Sequence, residues 1–269
     1  MSKIATAICM ALVLAESAPM FAAKHEIDQS IVRAEGGFPF KITKSGSYKL
    51  TGNLAVPAGV DGIDILAQDV TLDLNGFSII GPVVCSGFGP VTCPSASTGI
   101  GINGSNADET IGPADIKIFN GAVRGMGSHG IFVSGDGSLV EKVSVQSNAG
   151  AGIIVSGSVL ESSAIGNGST GILAFIVRDS EAANNVGDGI ITDGRGGVAL
   201  NDVSSFNGKR GIVAQNAGVT GSTSTLNKGV GLFAVCPSAI LNNTIVANAS
   251  SIQTEDDPPC VLENNGIRP

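Results

Sequence analysis

The stretch "NAGAGIIV", from Asn148 to Val155, is followed by the near copy "NGSTGILA", from Asn167 to Ala174. Both begin with Asn, and both carry Gly followed by Ile four residues later. The same Gly-Ile or Gly-Leu pair recurs along the chain in steps of 18 to 22 residues, at Gly130, Gly152, Gly171, Gly189, Gly211 and Gly231. Self-similarity at a fixed period indicates a repeat architecture.

Two further columns keep the register of these glycines. An Asn stands four residues before five of the glycines, at Asn148, Asn167, Asn185, Asn207 and Asn227. An aliphatic residue stands eight residues before each Asn, at Val140, Val159, Val177, Ala199 and Val219. Three columns held in register indicate a stack of nearly identical structural units.

Each unit is expected to be a coil of short strands. Helical periodicity is missing, and Gly, Asn, Ser and Val crowd every repeat, which opposes helix formation. The segments between turn signals are short and rich in Val, Ile and Thr, as strands are. We therefore expect coils of roughly 20 residues with three strands and three turns, stacked about 4.8 Å apart through parallel strand pairing.

This coil assigns a role to each column. The residues that follow the glycines form an inward aliphatic ladder, made of Ile131, Ile153, Ile172, Ile190, Ile212 and Leu232. An Asn tolerates left-handed backbone at a turn, and its amide can bond the neighbouring coil. A ladder of such amides would satisfy turn groups that burial otherwise leaves unpaired.

The pattern resembles the right-handed parallel β-helix family, which includes pectate lyases and many secreted bacterial repeat proteins. The resemblance covers about residues 60–250. It implies an all-β, single-domain right-handed parallel β-helix. A leucine-rich repeat is the alternative with a similar period, but its Leu-x-x-Leu-x-Leu framework is missing here.

The remaining segments are assigned around this β-helix. Residues 1–23 have the layout of a secretory signal peptide, with a buried N-terminal helix as the alternative. Residues 24–59 and 251–269 are expected to cap the coil ends, where strand edges would otherwise be open. Residues 83–115 interrupt the rhythm and predict a long side loop. No apolar run is long enough for a membrane span, so we expect a secreted or periplasmic protein.

Charge and cysteine content narrow the function classes. The net charge is −8 and no basic stripe is visible, which argues against nucleic acid as a partner. Four cysteines follow the predicted signal, and sequence allows three pairings. Cys85–Cys93 with Cys236–Cys260 is favoured because each of these pairs flanks a loop outside the regular repeats.

One outward column is apolar over six repeats. Its members each follow an inward Ile or Leu, so on a strand they point away from the core. Either a loop covers this apolar stripe, or it is an interface for a homo-oligomer or a protein partner. The apolar stripe consists of Phe132, Ile154, Leu173, Ile191, Val213 and Phe233.

Charged residues also fall into columns on adjacent coils. Glu161 and Asp179 would lie one coil apart, where paired carboxylates could bind Ca²⁺ or act as a catalytic acid and base. With Lys142 in the same column, a solvated charge ladder is the alternative. Asp188 and Arg210 share another column and predict a surface ion pair.

His129 is a further catalytic candidate, together with Arg124. His129 precedes a Gly-Ile corner, and the side loop beside it carries Asp108, Glu109 and Asp115. A His beside acidic residues under a loop predicts an active-site cleft. The alternative is a structural role, which is common for a lone His at a corner.

The resemblance implies a polysaccharide lyase or glycoside hydrolase if the protein is an enzyme. Pectate lyases bind calcium with clustered acids and use an Arg base, and polygalacturonases of this fold combine three Asp with Gly-His-Gly. Only "SHG" at His129 matches part of the latter, so no catalytic residue transfers. The leading hypothesis is a protein that binds, and perhaps processes, an extracellular or envelope polysaccharide. The alternative is a non-catalytic structural protein that assembles through the apolar stripe.

Overall fold

The computed structural model describes residues 24–105, 112–194, 196–255 and 258–268. Within these ranges the chain forms 27 short strands and one helix. The strands pair in parallel and wind into a right-handed solenoid of about 11 turns with about 22 residues per coil. This confirms the predicted all-β parallel β-helix. The signal-peptide prediction, residues 1–23, lies outside the described residues.

The first of the three sheets contains the Gly-Ile positions. Ile131 pairs with Ile153, and Ile153 pairs in turn with Ile172, so equivalent positions of successive coils lie side by side. The strands of this first sheet are Phe40–Ile42, Ile63–Ile65, Ile102–Gly104, Ile131–Val133, Ile153–Leu160, Ile172–Arg178, Ile190–Thr192, Ile212–Gln215, Val230–Val235 and Ser250–Glu255.

The second sheet contains the Val column that precedes each Asn. Val140 pairs with Val159, and Val159 pairs with Val177. Two strands of the first sheet continue into it around a bend. Its strands are His25–Ile27, Gly46–Leu50, Val70–Asp73, Ile116–Arg124, Leu139–Gln146, the second halves of Ile153–Leu160 and Ile172–Arg178, then Val198–Leu200, Gly218–Thr220, Ala239–Leu241 and Val261–Glu263.

The third sheet leads into the Asn column. Val145 pairs with Ala164, and Ala164 pairs with Ala182, so small side chains fill the narrow corner of the core. Its strands are Leu54–Ala55, Ser78–Ile80, the second halves of Ile116–Arg124 and Leu139–Gln146, then Ser163–Ile165, Glu181–Ala183, Val203–Ser205, Thr223–Thr225, Thr244–Val246 and Gly266–Arg268.

The core is the interior of the coil. Ile153, Ile172 and Ile190 are fully buried, as are Val159 and Val177 of the second sheet. Because the side-chain period of a strand is two, every second residue of each strand reaches this core. Burial of these stacked aliphatic side chains is the main stabilising contribution.

The glycine of the Gly-Ile pair is required by close packing. A Cβ at Gly171 would lie 2.7 Å from the Asn185 Nδ2 and 2.7 Å from the Gly189 carbonyl oxygen. No side chain fits at that distance, so the glycine column marks where each corner approaches the next coil.

The Asn side chains form a continuous internal ladder. The Asn148 Nδ2 donates to the Asn167 Oδ1 at 2.9 Å, and the Asn167 Nδ2 donates to the Asn185 Oδ1 at 3.0 Å. Each Oδ1 also accepts from the backbone N–H of the preceding Asn, as between Asn167 and Asn185 at 2.9 Å. The ladder continues through Asn207 and Asn227 to Asn248, beyond the five predicted members.

Regular coils extend past the predicted 60–250 range at both ends. Phe40 already pairs with Ile63, and Gly266 still pairs with Thr244. Before the first coil lies the short helix Gln29–Ala34, which Asp28 caps by accepting from the backbone N–H groups of Ser30 and Ile31. No helix of the described residues is long and apolar enough to cross a membrane.

The predicted side loop 83–115 is interrupted by a strand of the first sheet. Ile102–Gly104 pairs with Ile131–Val133, because Gly101 and Ile102 repeat the Gly-Ile signal inside that range. Within this loop, a disulfide joins Cys85 to Cys93. A second disulfide, near the C-terminal end of the solenoid, joins Cys236 to Cys260.

Candidate functional site

The outer surface of the first sheet presents one outward side chain per coil. Strand pairing places these residues in a single column that crosses the solenoid. Its N-terminal end is polar, its middle is apolar, and its last member is polar again. The column runs through Lys41, Asp64, Asn103, Phe132, Ile154, Leu173, Ile191, Val213, Phe233 and Gln253.

The N-terminal end of this column is a cluster of four polar side chains, which we call the polar cluster: Lys41, Asp61, Asp64 and Asn103. The Asn103 Nδ2 donates to the Asp61 Oδ2 at 2.9 Å, and the backbone N–H of Ile100 donates to the Asp61 Oδ1 at 2.7 Å. Lys41 is exposed, whereas the two carboxyl groups and the amide are half-buried. The polar cluster therefore combines cation, acid and amide on one accessible face.

The two carboxyl groups of the polar cluster interact directly. Burial, followed by the neighbouring Asp61 carboxyl, raises the pKa of Asp64 to about 6, while the Lys41 ammonium opposes the rise. The Asp64 Oδ1 is buried and makes no hydrogen bond to the described residues. Near pH 6 the Asp64 carboxyl group is partly protonated, so it can both donate and accept hydrogen bonds.

His129 lies two coils beyond Asp61 and Asp64, beside the disulfide-bonded loop. Its Nδ1 accepts from the backbone N–H of Ala151 at 3.0 Å, which places the proton of the neutral ring on Nε2. The ring centroid lies 5.8 Å from that of Phe132. His129 lines a cavity of about 520 Å³ between the loop and four successive coils. Its other lining residues are Val91, Thr92, Cys93, Pro94, Ser95, Ala96, Ala149, Gly150, Gly168, Ser169 and Val186.

The loop is held over these coils by specific contacts. The backbone N–H of Gly89 donates to the Asn184 Oδ1 at 3.1 Å, and that of Val91 donates to the Asn184 carbonyl at 3.0 Å. The Phe88 ring packs against Phe206, with centroids 4.8 Å apart. The wall of the cavity is therefore fixed to the coils that it crosses.

Arg124 does not share a cavity with His129. It lines a separate space of about 250 Å³ together with Gln146, Ser147 and loop residues from Pro82 to Val84. Of the acids expected in the cleft, Asp108 and Glu109 lie outside the described residues. Asp115 occupies a left-handed turn with φ 56°. The roles of His129 and Arg124 in catalysis stay predictions.

Glu161 and Asp179 lie on adjacent coils, at left-handed turns with φ 47° and 52°. Glu161 lies 3.7 Å from the Lys142 ammonium, and Asp179 lies 3.4 Å from the Arg178 guanidinium and accepts from the Asn201 amide at 3.3 Å. Because Asp and Asn tolerate the left-handed region, the turn geometry accounts for Asp179 and Asn201 in this column. The contacts form the charge ladder that was the alternative to a site.

The described residues contain no group of three or more His, Cys, Asp or Glu side chains arranged to hold a metal ion. Glu161 and Asp179 are matched by Lys142 and Arg178 rather than by a third acid. Calcium binding there remains an untested prediction.

Asp188 and Arg210 form the predicted ion pair, but Asp188 is not at the surface. Its side chain is 8% exposed, and the Arg210 Nε and Nη2 donate to its two oxygens, each at 3.0 Å. The Arg210 guanidinium also lies over the Phe233 ring, 4.9 Å from the centroid. Asp188 is therefore buried, whereas its partner Arg210 stays 35% exposed.

The apolar stripe is more covered than the sequence predicted. Val213 is 1% exposed, so it does not face solvent. The other five members are half-buried. They stack along the column with one neighbour on each side, and each neighbour covers part of the next.

Sequence reasoning missed the polar cluster. The sequence feature that points to this cluster is the segment "DGID", residues 61–64, in which Gly62 and Ile63 repeat the Gly-Ile motif. Aligning that motif would have placed Asp61 in the column of His129 and Asp64 in the column of Phe132. The long insertion before Ile102 hid the alignment with Asn103.

Comparisons with known proteins show the fold. No protein-family model matches the chain, and no curated protein matches it in sequence. The A-module of mannuronan C-5 epimerase AlgE4 from Azotobacter vinelandii matches with a TM-score of 0.51 and 13% identity, covering 89% of each chain. The AlgE6 A-module of the same bacterium gives a TM-score of 0.49 at 14% identity, covering 82% of this chain and 74% of that one.

The periplasmic alginate epimerase AlgG is also similar, with a TM-score of 0.45 and 12% identity over 84% of this chain and 76% of that one. At such identities the likeness concerns the fold. The chain is a right-handed parallel β-helix, as its repeats predicted.

Proposed function

We propose that this protein is an exported β-helix that binds a polysaccharide across the outer face of its first sheet, at the end that carries the polar cluster. The observation that carries the proposal is the change of the outward column from apolar residues to Lys41, Asp64 and Asn103. These outward positions do not face the core, and Lys41 is exposed while Asp64 and Asn103 are partly exposed, so a ligand can reach them.

The chemistry of the face suits a sugar chain. Carbohydrate hydroxyls need donors and acceptors together, which Asn103 and the Asp61–Asp64 pair supply. His129 and Phe132 add a ring surface one coil beyond Asn103. The coil spacing of about 4.8 Å is close to the advance of a polysaccharide per sugar unit, so successive units can meet equivalent positions.

Export is supported by two features of the chain. Both disulfides are of the kind that persists in oxidising compartments, and residues 1–23 have the layout of a signal peptide. The solved structure with a TM-score of 0.51 is named as an epimerase of mannuronan, a polysaccharide. That likeness supports only the suitability of the fold.

Processing of the bound chain is a second candidate, favoured by Asp64. A carboxyl group with a pKa of about 6 can act as a general acid or base near neutral pH. In this proposal Asp64 exchanges a proton with the sugar chain, while Asp61, held by Asn103 and the Ile100 backbone, positions it.

The alternative, assembly through the apolar stripe, has weaker support because the stripe is half-buried within one chain. Its test is the size in solution of a Leu173→Asp, Ile191→Asp variant. A smaller particle than the unaltered protein, with retained folding, would favour the interface over the sugar face.

The experiment for the main proposal is a binding screen of the signal-free protein against neutral and acidic polysaccharides. New reducing ends and the ultraviolet absorbance of unsaturated products are recorded in parallel. We expect binding to at least one polysaccharide, weakened in an Asn103→Ala variant. Absence of binding to every polysaccharide of the panel would overturn the proposal. Binding without products would remove the processing role.

A further inference from the structure

A second internal ladder crosses the solenoid at the corner between the second and third sheets. Each member accepts a hydrogen bond from the backbone N–H of the member one coil before it, at 2.9 to 3.2 Å. The ladder is buried for most of its length. It consists of Ser162, Ser180, Asp202, Ser222, Asn243 and Asn265.

All members of this ladder except Asp202 also donate a hydrogen bond to a backbone carbonyl. The Ser180 and Ser222 hydroxyls donate to carbonyls two residues earlier, Arg178 at 2.9 Å and Thr220 at 3.3 Å. The Asn243 amide donates to the Val219 carbonyl of the preceding coil at 3.0 Å. The column therefore requires a side chain that accepts on one side and donates on the other.

Asp202 is the exception in this column. It is 1% exposed, and its Oδ1 accepts from the Ser180 N–H at 2.9 Å. Its Oδ2 is fully buried and makes no hydrogen bond to the described residues. As a carboxylate it has no hydrogen to donate, and a buried charge without a partner is unfavourable.

We propose that Asp202 occupies the ladder as a neutral carboxylic acid, whose O–H takes the place of the Ser hydroxyl and Asn amide donors, so that a proton locks the coil stack at this corner. The carbonyls at the equivalent positions are Leu200, two residues earlier as for the serines, and Val177 on the preceding coil, as for Asn243.

Among the described residues, no cation on the packed coils replaces the proton. The preceding coil carries Asp179, Arg178 and Glu181 near this corner, and Arg178 lies against Asp179, 3.4 Å away, with both side chains nearly half exposed. The next coil presents residues 220–223, which are uncharged. Burial raises the pKa of Asp202 to about 7, against opposing contributions from the backbones of Ser180 and Leu200, and Asp179 adds to the rise.

The pH dependence of stability follows from this shift. The pKa of an unfolded Asp is about 3.9, so the folded state binds the proton more tightly. The stabilisation is fully present below about pH 4 and is lost progressively as the pH rises through the folded pKa of about 7. A protein with this lock is more stable in mildly acidic than in neutral surroundings.

The test is urea denaturation of the full chain across this pH range. We expect the urea concentration at the unfolding midpoint of the unaltered protein to fall as the pH rises from about 4 to about 7, and to level off above that. Asp202→Asn and Asp202→Ser should flatten that fall, because amide and hydroxyl donate at every pH. Glu181→Gln, at an exposed position of the preceding coil, is the matched control and should keep the fall.

A second measurement does not depend on folding of a variant. Titration of the Asp202 carboxyl carbon by NMR in the unaltered protein should give a midpoint well above that of an exposed Asp. A midpoint near pH 4, or an Asp202→Asn variant with the unaltered pH dependence, would overturn the proposal.

Discussion

The inward and outward residues of the first sheet alternate along the same strands but obey different rules. The inward column is Ile or Leu from Ile63 to Leu232 and is fully buried. The outward column changes from Lys41 and Asp64 to an apolar stripe within four coils. The packing of the coil fixes the first column, and the second column is free to carry function.

The largest contrast should come from neighbouring residues of one strand. Ile172→Ala removes a fully buried side chain, so we expect a loss of about 2–5 kcal/mol in the free energy of unfolding. Leu173→Ala, next to it but outward, should cost about 1 kcal/mol. Urea denaturation measures both, and equal losses would break the distinction between the two columns.

The Asn ladder should behave as an inward element although it is polar. Asn185→Ala would leave the Asn167 N–H and the Ala164 carbonyl without their buried partner. We expect destabilisation of about 2 kcal/mol or more, since each unsatisfied buried group costs about 1–3 kcal/mol. Ser156→Ala, at an exposed strand position, is the control and should change the unfolding midpoint little.

The two arginine–aspartate pairs compare a buried with an exposed carboxylate, and we expect smaller losses of stability from them. Arg210→Ala leaves the buried Asp188 carboxylate unpaired, and we expect a loss of about 2 kcal/mol. Arg178→Ala breaks an exposed pair with Asp179 and should cost less than about 1 kcal/mol. Thermal denaturation at low and high salt compares them, and a larger loss for Arg178→Ala would contradict the burial argument.

The sequence predicts the inward half of this molecule well. Gly, Ile and Asn recur because coil stacking demands them, so their spacing alone indicates the solenoid, its inward ladder and the Asn column. The side loop was drawn too long because Gly101-Ile102 was not aligned with the other pairs. The buried state of Val213 and Asp188 depends on neighbours in other coils, which one sequence does not show.

The roles of the outward residues are harder to predict from the sequence. Glu161 and Asp179 are predicted as a carboxylate pair, and the structure places them at left-handed turns beside Lys142 and Arg178, so their role as a site stays a prediction. The polar cluster was missed because its members come from three coils separated by a long insertion. Outward positions carry no repeat signal, so only strand register brings Lys41, Asp64 and Asn103 together.

The most direct test of the proposed sugar face compares two variants that each remove one carboxylate. Asp64 lies in the polar cluster, and Glu181 is exposed on the third sheet. Calorimetric titration with the polysaccharide found by the screen should show affinity reduced about tenfold or more for Asp64→Asn, equivalent to about 1.4 kcal/mol, and unchanged for Glu181→Gln. Equal affinity of both variants and the unaltered protein would contradict the assignment of the sugar face.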